Sequence, residues 1–375
     1  MKRKLALSVI LFAIISATVV WLFLPENRQN VFSLPSNKEP LLISRAELYQ
    51  YTNETLPGKI LCAGRSILTP RYIYVMNANE DKMTRLTKIP SNGDPAWSPD
   101  GKKFAESSCG NNEGLHINSS IFVTNADGTN RTRLTFNSWG DYYPVYSPDG
   151  TKIAFFRSAE EESPIRYHLY VMNAADGSDQ RRLTKDPVVA GTPHLSWSPD
   201  SKRITYDSEE NIYVVDLNGN ITKLAENTGT ANYDPAWSPD GKKIAYFGWS
   251  RPTKFGAIYT INPDDSNRTM LTAIRGASSL IWSRDGTRIA FVYPPDVNSL
   301  DQCICTINAT GGNPIRVSKN YELIEGLPDW SPDGKWIVFG AEGNIHIAKA
   351  DGSIEIQLTK NETMSFFYPV WSSTN

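Results

Sequence analysis

A five-residue unit with the pattern Trp-Ser-Pro-Asp-Gly recurs along this chain, and it limits the fold more than any other feature of the sequence. The copies begin at Trp97, Tyr146, Trp197, Trp237, Trp282 and Trp330, and an incomplete copy begins at Trp371. Within the unit, Pro presets φ for a turn and Gly takes the position that must leave the usual backbone regions. Apolar residues flank the copies, so the sequence predicts a β-hairpin that is repeated at intervals of 40 to 51 residues.

A second module alternates with the first. It starts with an apolar strand such as Ile-Tyr-Val-Met-Asn and ends with Arg-Leu-Thr or a variant of it, as in residues 73–87 and 345–359. Each repeat therefore contains four strands, which we label A (ending in Trp-Ser), B (Lys-x-Ile-Ala-Phe), C (Ile-Tyr-Val-Met-Asn) and D (Arg-Leu-Thr). A period of this size with four strands in each unit predicts a β-propeller, in which every repeat forms one blade.

The two ends of the series are incomplete in complementary ways. Residues 58–63 resemble a strand B that has no strand A before it, and residues 368–372 form a strand A with nothing after it. Pairing these two segments completes a seventh blade and closes the ring without an open sheet face. The sequence thus predicts an all-β fold, a seven-bladed β-propeller over residues 58–375, whose closing blade is shared by N- and C-terminal strands.

The first 24 residues have the pattern of a membrane-targeting segment. Basic residues 2–4 precede an uncharged, largely apolar run over residues 5–24, which is long enough for a helix to cross the hydrocarbon core. We interpret it as an N-terminal transmembrane signal-anchor that leaves the body extracytoplasmic, in the periplasm or at the cell surface. The alternative is a cleaved signal peptide. Residues 25–57 lack periodicity and are predicted to be a tether.

The alternating modules resemble the TolB-like propeller repeat, also called the PD40 or WD40-like repeat, over residues 58–375. TolB is a periplasmic protein of the Tol–Pal envelope system, with an α/β domain before a six-bladed propeller. This sequence has seven repeats and an apolar segment in place of that domain, so the resemblance implies the fold rather than TolB itself. The same repeat builds the propellers of prolyl-oligopeptidase-type peptidases, tricorn-like proteases and oligogalacturonate lyases.

Composition and motifs exclude several function classes. The formal net charge is -2 and no basic stripe is present, which argues against nucleic-acid binding. The sequence contains no G-x-S-x-G, phosphate-loop or dinucleotide motif. Because the body is predicted to be extracytoplasmic, the expected partners are an envelope protein or peptide, together with the membrane through the N-terminal helix.

Variation between repeats concentrates in the D–A and B–C connections, which lie on one face of a propeller. We predict that a ligand- or partner-binding face is formed there by Asp94, Trp139, Tyr142, Tyr143, His194, Tyr233, Asp234, Trp249, Tyr321, Phe367 and Tyr368. Aromatic rings with a few charges suit a binding surface. The alternative is that these rings only seal the mouth of the central channel.

Metal binding is a further hypothesis for the same face. Asp94 and Asp234 both lie three residues before their Trp, and their oxygens would suit Ca²⁺. The favoured interpretation is that each Asp caps backbone amides at the start of its strand. Three histidines, His116, His168 and His194, fall on the variable face and are candidate ligands of a transition metal. No cofactor is required by this reading.

The remaining residues of note are predicted to be structural. His346 lies in the middle of a strand, within a blade interface. The four cysteines, Cys62, Cys109, Cys303 and Cys305, are predicted to be small, partly buried side chains rather than a disulfide framework. Two functional hypotheses follow: a protein- or peptide-binding module or scaffold, and, as the alternative, a metal-dependent lyase or lactonase-like enzyme that acts on a sugar-derived substrate at the channel mouth.

Overall fold

The computed structural model contains seven sheets, and each includes four antiparallel strands that form one blade. The structure describes residues 40–375, except 53–54, 67–68, 81, 93–94, 110–118, 160–165, 189–193, 226–229, 251–252, 254, 296–299, 361–362 and 374–375. The predicted signal-anchor and the first part of the predicted tether lie outside the described residues. Within the described part of the chain, no helix is long and apolar enough to cross a membrane.

The strands follow the predicted order A to D in each blade. The described part of the chain begins with β1 (Leu41–Ile43) and helix α1 (Arg45–Thr52), followed by β2 (Lys59–Ser66), β3 (Tyr72–Asn77) and β4 (Met83–Arg85) of blade 1. Blade 2 contains β5 (Ala96–Trp97), β6 (Lys103–Ser108), β7 (Ser120–Asn125) and β8 (Thr132–Arg133). Blade 3 contains β9 (Asp141–Tyr146), β10 (Lys152–Ala159), β11 (Arg166–Asn173) and β12 (Arg181–Arg182).

The second half of the ring repeats this arrangement. Blade 4 contains β13 (Leu195–Trp197), β14 (Arg203–Ser208), β15 (Asn211–Asp216) and β16 (Ile221–Leu224), and blade 5 contains β17 (Thr230–Trp237), β18 (Ile244–Ser250), β19 (Phe255–Ile261) and β20 (Thr269–Ala273). Blade 6 contains β21 (Ser278–Trp282), β22 (Arg288–Tyr293), β23 (Cys303–Asn308) and β24 (Ile315–Arg316). Blade 7 contains β25 (Ile324–Trp330), β26 (Trp336–Ala341), β27 (Asn344–Lys349) and β28 (Ile354–Gln357), and β29 (Met364–Trp371) ends the series.

The closing blade is built as the sequence predicts. Strand β29 pairs antiparallel with β2, with Ile60 opposite Trp371 and Leu61 opposite Val370. The resulting sheet has the order β29-β2-β3-β4, so the C-terminal strand supplies the inner strand of blade 1. The seven-bladed architecture and the shared closing blade are therefore confirmed.

Hydrogen bonds within the Ser-Pro-Asp-Gly turn explain why the motif recurs in the blades. In blade 2, the Ser98 hydroxyl donates to Asp100 Oδ1 at 2.6 Å and accepts from the Lys103 amide at 2.9 Å. Gly101 has a φ of 67°, in the left-handed region that glycine adopts without strain. Ser and Asp therefore join the two ends of the turn, and Gly permits its backbone path. The motif is structural.

The Trp of strand A connects neighbouring blades. The indole N–H of Trp97 donates to the Val370 carbonyl at 3.2 Å, and that of Trp282 donates to the Ala236 carbonyl at 3.0 Å. In both cases the acceptor immediately precedes the Trp of the preceding blade. The ring is buried as well, with Trp97 8% exposed. A ring that recurs at one register of a repeat is expected to pack between blades, and the hydrogen bond adds a directional contact to that packing.

The Arg-Leu-Thr motif of strand D has an equally local role. The Thr87 hydroxyl accepts from the Ile73 amide at 2.9 Å, and Arg85 Nε donates to the Thr87 carbonyl at 2.7 Å. Leu86 between them is buried against blade 2. The motif therefore fixes the outer strand to strand C and fills the blade interface.

Part of the segment predicted as a tether belongs to the folded body. Strand β1 pairs in parallel with β28, which makes blade 7 a five-stranded sheet. Helix α1 follows, and its N-terminus carries a capping box in which the Ser44 amide donates to Glu47 Oε2 and the Glu47 amide donates to Ser44 Oγ. Leu48 anchors the helix in the core between blades 7 and 1. Residues 41–52 therefore cover the outer edge of blade 7.

The cysteines and His346 occupy the environments predicted for them. Cys62, Cys303 and Cys305 are buried, Cys109 is half-buried, and all four are free thiols. His346 is buried in blade 7, where its Nδ1 lies 3.2 Å from the Tyr321 hydroxyl and 3.4 Å from Glu355 Oε1. The Tyr321 hydroxyl also donates to Glu355. This network satisfies polar groups inside the interface of blades 6 and 7.

Candidate functional site

We use the term channel mouth for the end of the inner strands where the D–A and B–C connections lie. The position three residues before each Trp is distinctive there, because it has positive φ in Tyr143 (53°), Asp234 (54°), Ser279 (59°) and Tyr368 (52°). In each of these strands the pairing register shifts at this point, so that two inner-strand residues oppose one residue of strand B. Such a β-bulge re-aims the side chain it carries. The backbone therefore presents this ring of residues in a way that an unbroken strand would not.

His194 and Asp234 meet at the channel mouth. The His194 ring is hydrogen-bonded through Nδ1 to Asp234 Oδ1, and the Ser279 amide donates to Asp234 Oδ2 at 3.0 Å. Burial opposes ionisation of Asp234, but the His194 ring and the Ser279 amide outweigh it and lower the pKa of this carboxyl. Asp234 therefore caps a backbone amide of the next blade, rather than one at the start of its own strand as the favoured interpretation predicts, and it also holds the imidazole of His194.

Asp207 lies within electrostatic reach of His194 and Asp234, and it was not among the residues predicted from the sequence. It lies near the end of β14, and its Oδ1 has no hydrogen-bond partner among the described residues. Burial, together with the neighbouring Asp234 carboxylate, raises the pKa of Asp207 to about 7. A signal was present in the repeat, because the equivalent residues of the other six blades are uncharged: Ala63, Ser107, Phe156, Phe247, Val292 and Gly340.

The turn beside Asp207 adds further negative charge. Glu209 and Glu210 form the tight connection between β14 and β15, with φ of 48° and 65°. Non-glycine residues in the left-handed region cost about 1 kcal/mol each. Blades 4 and 5 therefore form an acidic side of the channel mouth, in which His194 is bonded to Asp234 and Asp207 lies within electrostatic reach of both.

The aromatic residues predicted for the face divide into two groups. Trp139 is 39% exposed, and Tyr142 and Tyr143 are half-buried neighbours whose ring centroids lie 6.3 Å apart. Burial raises the pKa of Tyr142 to about 12, so it stays neutral. In contrast, Tyr233 and Trp249 pack partly buried against the core between blades 5 and 6.

The other three aromatic residues predicted for the face are buried or half-buried, and each contacts a polar or charged side chain. Tyr321 is buried in the network with His346 described above. Phe367 is 5% exposed and is covered by two arginines, Arg65 and Arg71. Tyr368 is half-buried, and the Arg71 guanidinium lies 5.7 Å from its ring centroid. Asp94 lies outside the described residues.

The structure describes two of the three candidate histidine ligands, His168 and His194, and they have separate partners. His116 lies outside the described residues. His168 lies on strand C of blade 3, with its Nδ1 3.5 Å from the Thr184 hydroxyl, and burial lowers its pKa. His194 instead contacts Asp234. Over the described ranges, no three His, Cys, Asp or Glu side chains form a group suited to a metal ion.

Comparison with known proteins assigns the fold to a family. The model of the TolB beta propeller domain (PD40) matches residues 151–373, which is more than half of the chain. The chain therefore belongs to the TolB-type β-propeller family, as its repeat indicated. The match covers β10 to β29, so it includes His194, Asp207 and Asp234.

Individual relatives are similar to most of this chain. The uncharacterised protein Atu1656 of Agrobacterium fabrum is 30% identical over 282 residues, which cover 70% of this chain and 89% of that protein. The Tol-Pal system protein TolB of Francisella tularensis is 25% identical over 265 residues, which cover 68% of this chain. The match spans only 57% of that TolB protein, so the activity of the whole relative is not carried over.

Among solved structures, an oligogalacturonate lyase in complex with manganese superposes with a TM-score of 0.64. It is 17% identical in sequence, and the match covers 78% of this chain and 86% of the lyase. At this level of identity the likeness concerns the fold alone. Function must therefore be argued from the residues at the channel mouth.

Proposed function

We propose that this protein is an extracytoplasmic binding module that captures a protein or peptide at its channel mouth. The observation that carries this proposal is the contrast between the two ends of the propeller. At the turn end, Ser-Asp hydrogen bonds repeat from blade to blade, as at Ser98 and Ser238. The channel mouth differs in every blade, and it combines acidic, cationic and aromatic groups. Variation on a rigid scaffold is typical of a recognition surface.

The apolar N-terminal segment supports the extracytoplasmic part of the proposal. An uncharged run over residues 5–24 follows three basic residues, and such a segment directs the chain that follows it across a membrane. Similarity to a Tol-Pal system protein is consistent with an envelope location. We propose that the same segment holds the propeller at the membrane.

Exposed apolar side chains at the channel mouth offer a direct test. Trp139 and Leu327 are 39% and 44% exposed, and both belong to connections or bulges of the mouth. The double variant Trp139→Ala/Leu327→Ala is expected to lose at least about 90% of partner retention in pull-downs from envelope extract, because buried aromatic and aliphatic anchors dominate interface energies. Ile221→Ala/Met270→Ala, in outer strands, is the matched control, since these side chains are 40% and 52% exposed.

The control variant should retain the partner at the wild-type level, and both variants should melt at the wild-type temperature. Equal retention by the mouth variant and the wild type would place binding elsewhere and contradict the proposal. Equal loss in both variants would also contradict it, because the outer strands would then matter as much as the mouth.

The acidic side of the mouth supports a second candidate function, an enzyme acting on a sugar-derived acid. Asp207, with a pKa of about 7, can accept a proton at neutral pH. In a β-elimination, it would take the proton next to a uronate carboxylate while the glycosidic oxygen leaves, and a C=C bond forms. His194, bonded to Asp234, would return a proton to the leaving oxygen. The oligogalacturonate lyase fold is compatible with this candidate.

If this candidate is correct, oligogalacturonate incubated with the full-length protein will give a product that absorbs in the ultraviolet. Asp207→Asn is expected to slow that reaction by about 100-fold or more, since general-base catalysis contributes about that factor. Asp216→Asn, on the turn side of the same blade, is the control and should be unchanged. No product from the wild type, with and without added Mn²⁺, would exclude this activity on oligogalacturonate.

A further inference from the structure

We infer that Arg65 and Arg71 form a carboxylate-binding subsite of the channel mouth, and that the captured peptide presents an acidic side chain or its C-terminal carboxylate there. This inference rests on the proposed function and names the chemistry of the ligand. It assigns the cationic side of the mouth, in blade 1, which lies across the ring from the acidic side in blades 4 and 5.

Both guanidinium groups are held over one buried ring. The Arg65 Cζ lies 5.4 Å from the centroid of Phe367, and the Arg71 Cζ lies 5.8 Å from the same centroid. Arg65 is near the end of β2 and Arg71 directly precedes β3, so the B–C connection of blade 1 folds both residues over the inner strand β29. Phe367 is 5% exposed, whereas Arg65 is exposed. The aromatic ring therefore orients two cations that solvent can reach.

Neither guanidinium has a carboxylate within ion-pair distance among the described residues. This differs from two other arginines of the propeller. Arg131 pairs with the buried Glu106 at 2.9 Å, and Arg157 pairs with the buried Asp141 at 2.7 Å. In those two cases a buried acid accompanies the arginine. The two at the channel mouth retain donors suited to a carboxylate from outside.

One hydrogen bond orients the Arg71 side chain and leaves its other N–H donors available. One of its N–H groups, on Nη1, donates to the Asn92 carbonyl at 3.2 Å, which ties the side chain to the connection entering blade 2. A guanidinium carries five N–H donors in a planar fork. The fork can therefore still bind a carboxylate in the bidentate geometry that arginine favours.

Glu325, the acid whose charge these arginines influence, also suits a carboxylate ligand. Its Oε2 is buried and has no hydrogen-bond partner among the residues the structure describes. Burial raises the pKa of Glu325 to about 7 even though Arg71 and Arg65 act in the opposite direction. Below about pH 7, Glu325 is therefore mostly protonated, and it does not neutralise the two arginines in place of an incoming carboxylate. The neighbouring Gly326 allows the close approach of Tyr368, because a Cβ there would lie 2.5 Å from the Tyr368 ring.

The test uses two pools of fluorescein-labelled hexapeptides with the full-length protein. The acidic pool contains Asp and Glu and ends in a free carboxylate, and the neutral pool contains Asn and Gln instead and ends in an amide. Fluorescence anisotropy is expected to give at least about tenfold tighter binding of the acidic pool, since hydrogen bonds to charged groups contribute about that much. Arg65→Ala/Arg71→Ala should remove this preference and leave binding of the neutral pool unchanged.

A matched control is Arg133→Ala, because Arg133 also covers an aromatic ring, that of Phe136, with a distance of 4.9 Å to the centroid. It lies in an outer strand, and its substitution should leave the preference intact. Arg71→Lys keeps the charge and the fold but loses the planar fork, so an intermediate preference is expected. Equal binding of both pools by the wild type, or an undiminished preference in the double variant, would overturn the subsite.

The two proposals can fail separately. If the wild type captures its partner through Trp139 and Leu327 but shows no preference for acidic peptides, the subsite is wrong and the binding function stands. If neither peptide pool binds, the subsite is also wrong, and the pull-down decides the binding function by itself.

Discussion

Deleting residues 364–375 is expected to abolish the cooperative unfolding transition of the propeller. The deletion removes β29, and with it the buried side chains of Phe366, Phe367 and Trp371, which are 3%, 5% and 1% exposed. Truncating one such aromatic residue in a core costs about 3–5 kcal/mol, so losing three approaches or exceeds the total stability of a typical domain. Blade 1 would also expose the edge of β2. Thermal unfolding followed by circular dichroism measures the effect.

Two further measurements sharpen this prediction. The single substitution Trp371→Ala is expected to lower the free energy of unfolding by about 3–5 kcal/mol, and deleting only residues 374–375 should have no effect. A synthetic peptide of residues 363–375, added in excess to the truncated protein, should restore the transition by pairing with β2. A truncated protein that melts at the wild-type temperature would show that the seam does not hold the ring closed.

Asp207→Asn is expected to stabilise the protein at pH 8, by about 2–4 kcal/mol. The ordinary pKa of an Asp is 3.8, and in the folded protein burial raises the pKa of Asp207 to about 7. Between these values the folded state holds a proton that the unfolded state has lost. Native stability therefore falls as the pH rises through this window, and the fall is complete above pH 7. Denaturant unfolding at several pH values between 4 and 8 measures the slope.

Asp234→Asn is the contrasting control, because its pKa is lowered rather than raised. Its carboxylate stabilises the native state above its ordinary pKa, and this stabilisation is lost as the pH falls through the lower, folded value. The substitution is therefore expected to destabilise the protein at pH 8, opposite in sign to Asp207→Asn. An unchanged pH slope in Asp207→Asn would contradict the raised pKa that burial gives this residue.

The propeller could be predicted from sequence because its information is repeated. Six complete copies of one hairpin fix the period, and the incomplete seventh copy at Trp371 fixes the closing blade. The structural role of the Trp residues was also predictable, because a ring that recurs at one register must pack in the same way each time. The hydrogen bond from Trp97 to Val370 was not predictable, since it depends on how far one blade is rotated against the next.

The N-terminal addition to blade 7 had only a partial signal. Strand β1 contains three residues, Leu41–Ile43, and pairs in parallel with a strand over 300 residues away. It is therefore too short to show an alternation of apolar and polar residues, and no hairpin turn connects it to its partner. The capping box formed by Ser44 and Glu47 is a sequence signal for the start of a helix. The prediction of a tether over residues 25–57 did not take it into account. Residues 25–57 contain Pro25, Pro35 and Pro40 among Asn, Ser and Glu and have no sustained periodicity, which is why composition suggested a linker.

The sequence predicted which residues lie near the channel mouth, but it did not predict which of their side chains are buried. His194 and Asp234 are brought together as neighbours in adjacent blades, whereas Tyr321 is buried within an interface because its connection turns inward. Register alone cannot distinguish these outcomes. Asp207 could have been found as the one charged residue at its repeat position, but its electrostatic interaction with Asp234 depends on the bulge that re-aims the Asp234 side chain.

The parallel pairing of β1 with β28 determines how mechanical load enters the molecule. Tension on the chain before residue 41 would act first on the three-residue ladder between these strands and next on α1, anchored by Leu48, before reaching β2. The seam between β2 and β29 is therefore shielded by two weaker attachments in series. Under force, the N-terminal addition would detach and lengthen the connection to the propeller, while the ring and its channel mouth stay closed.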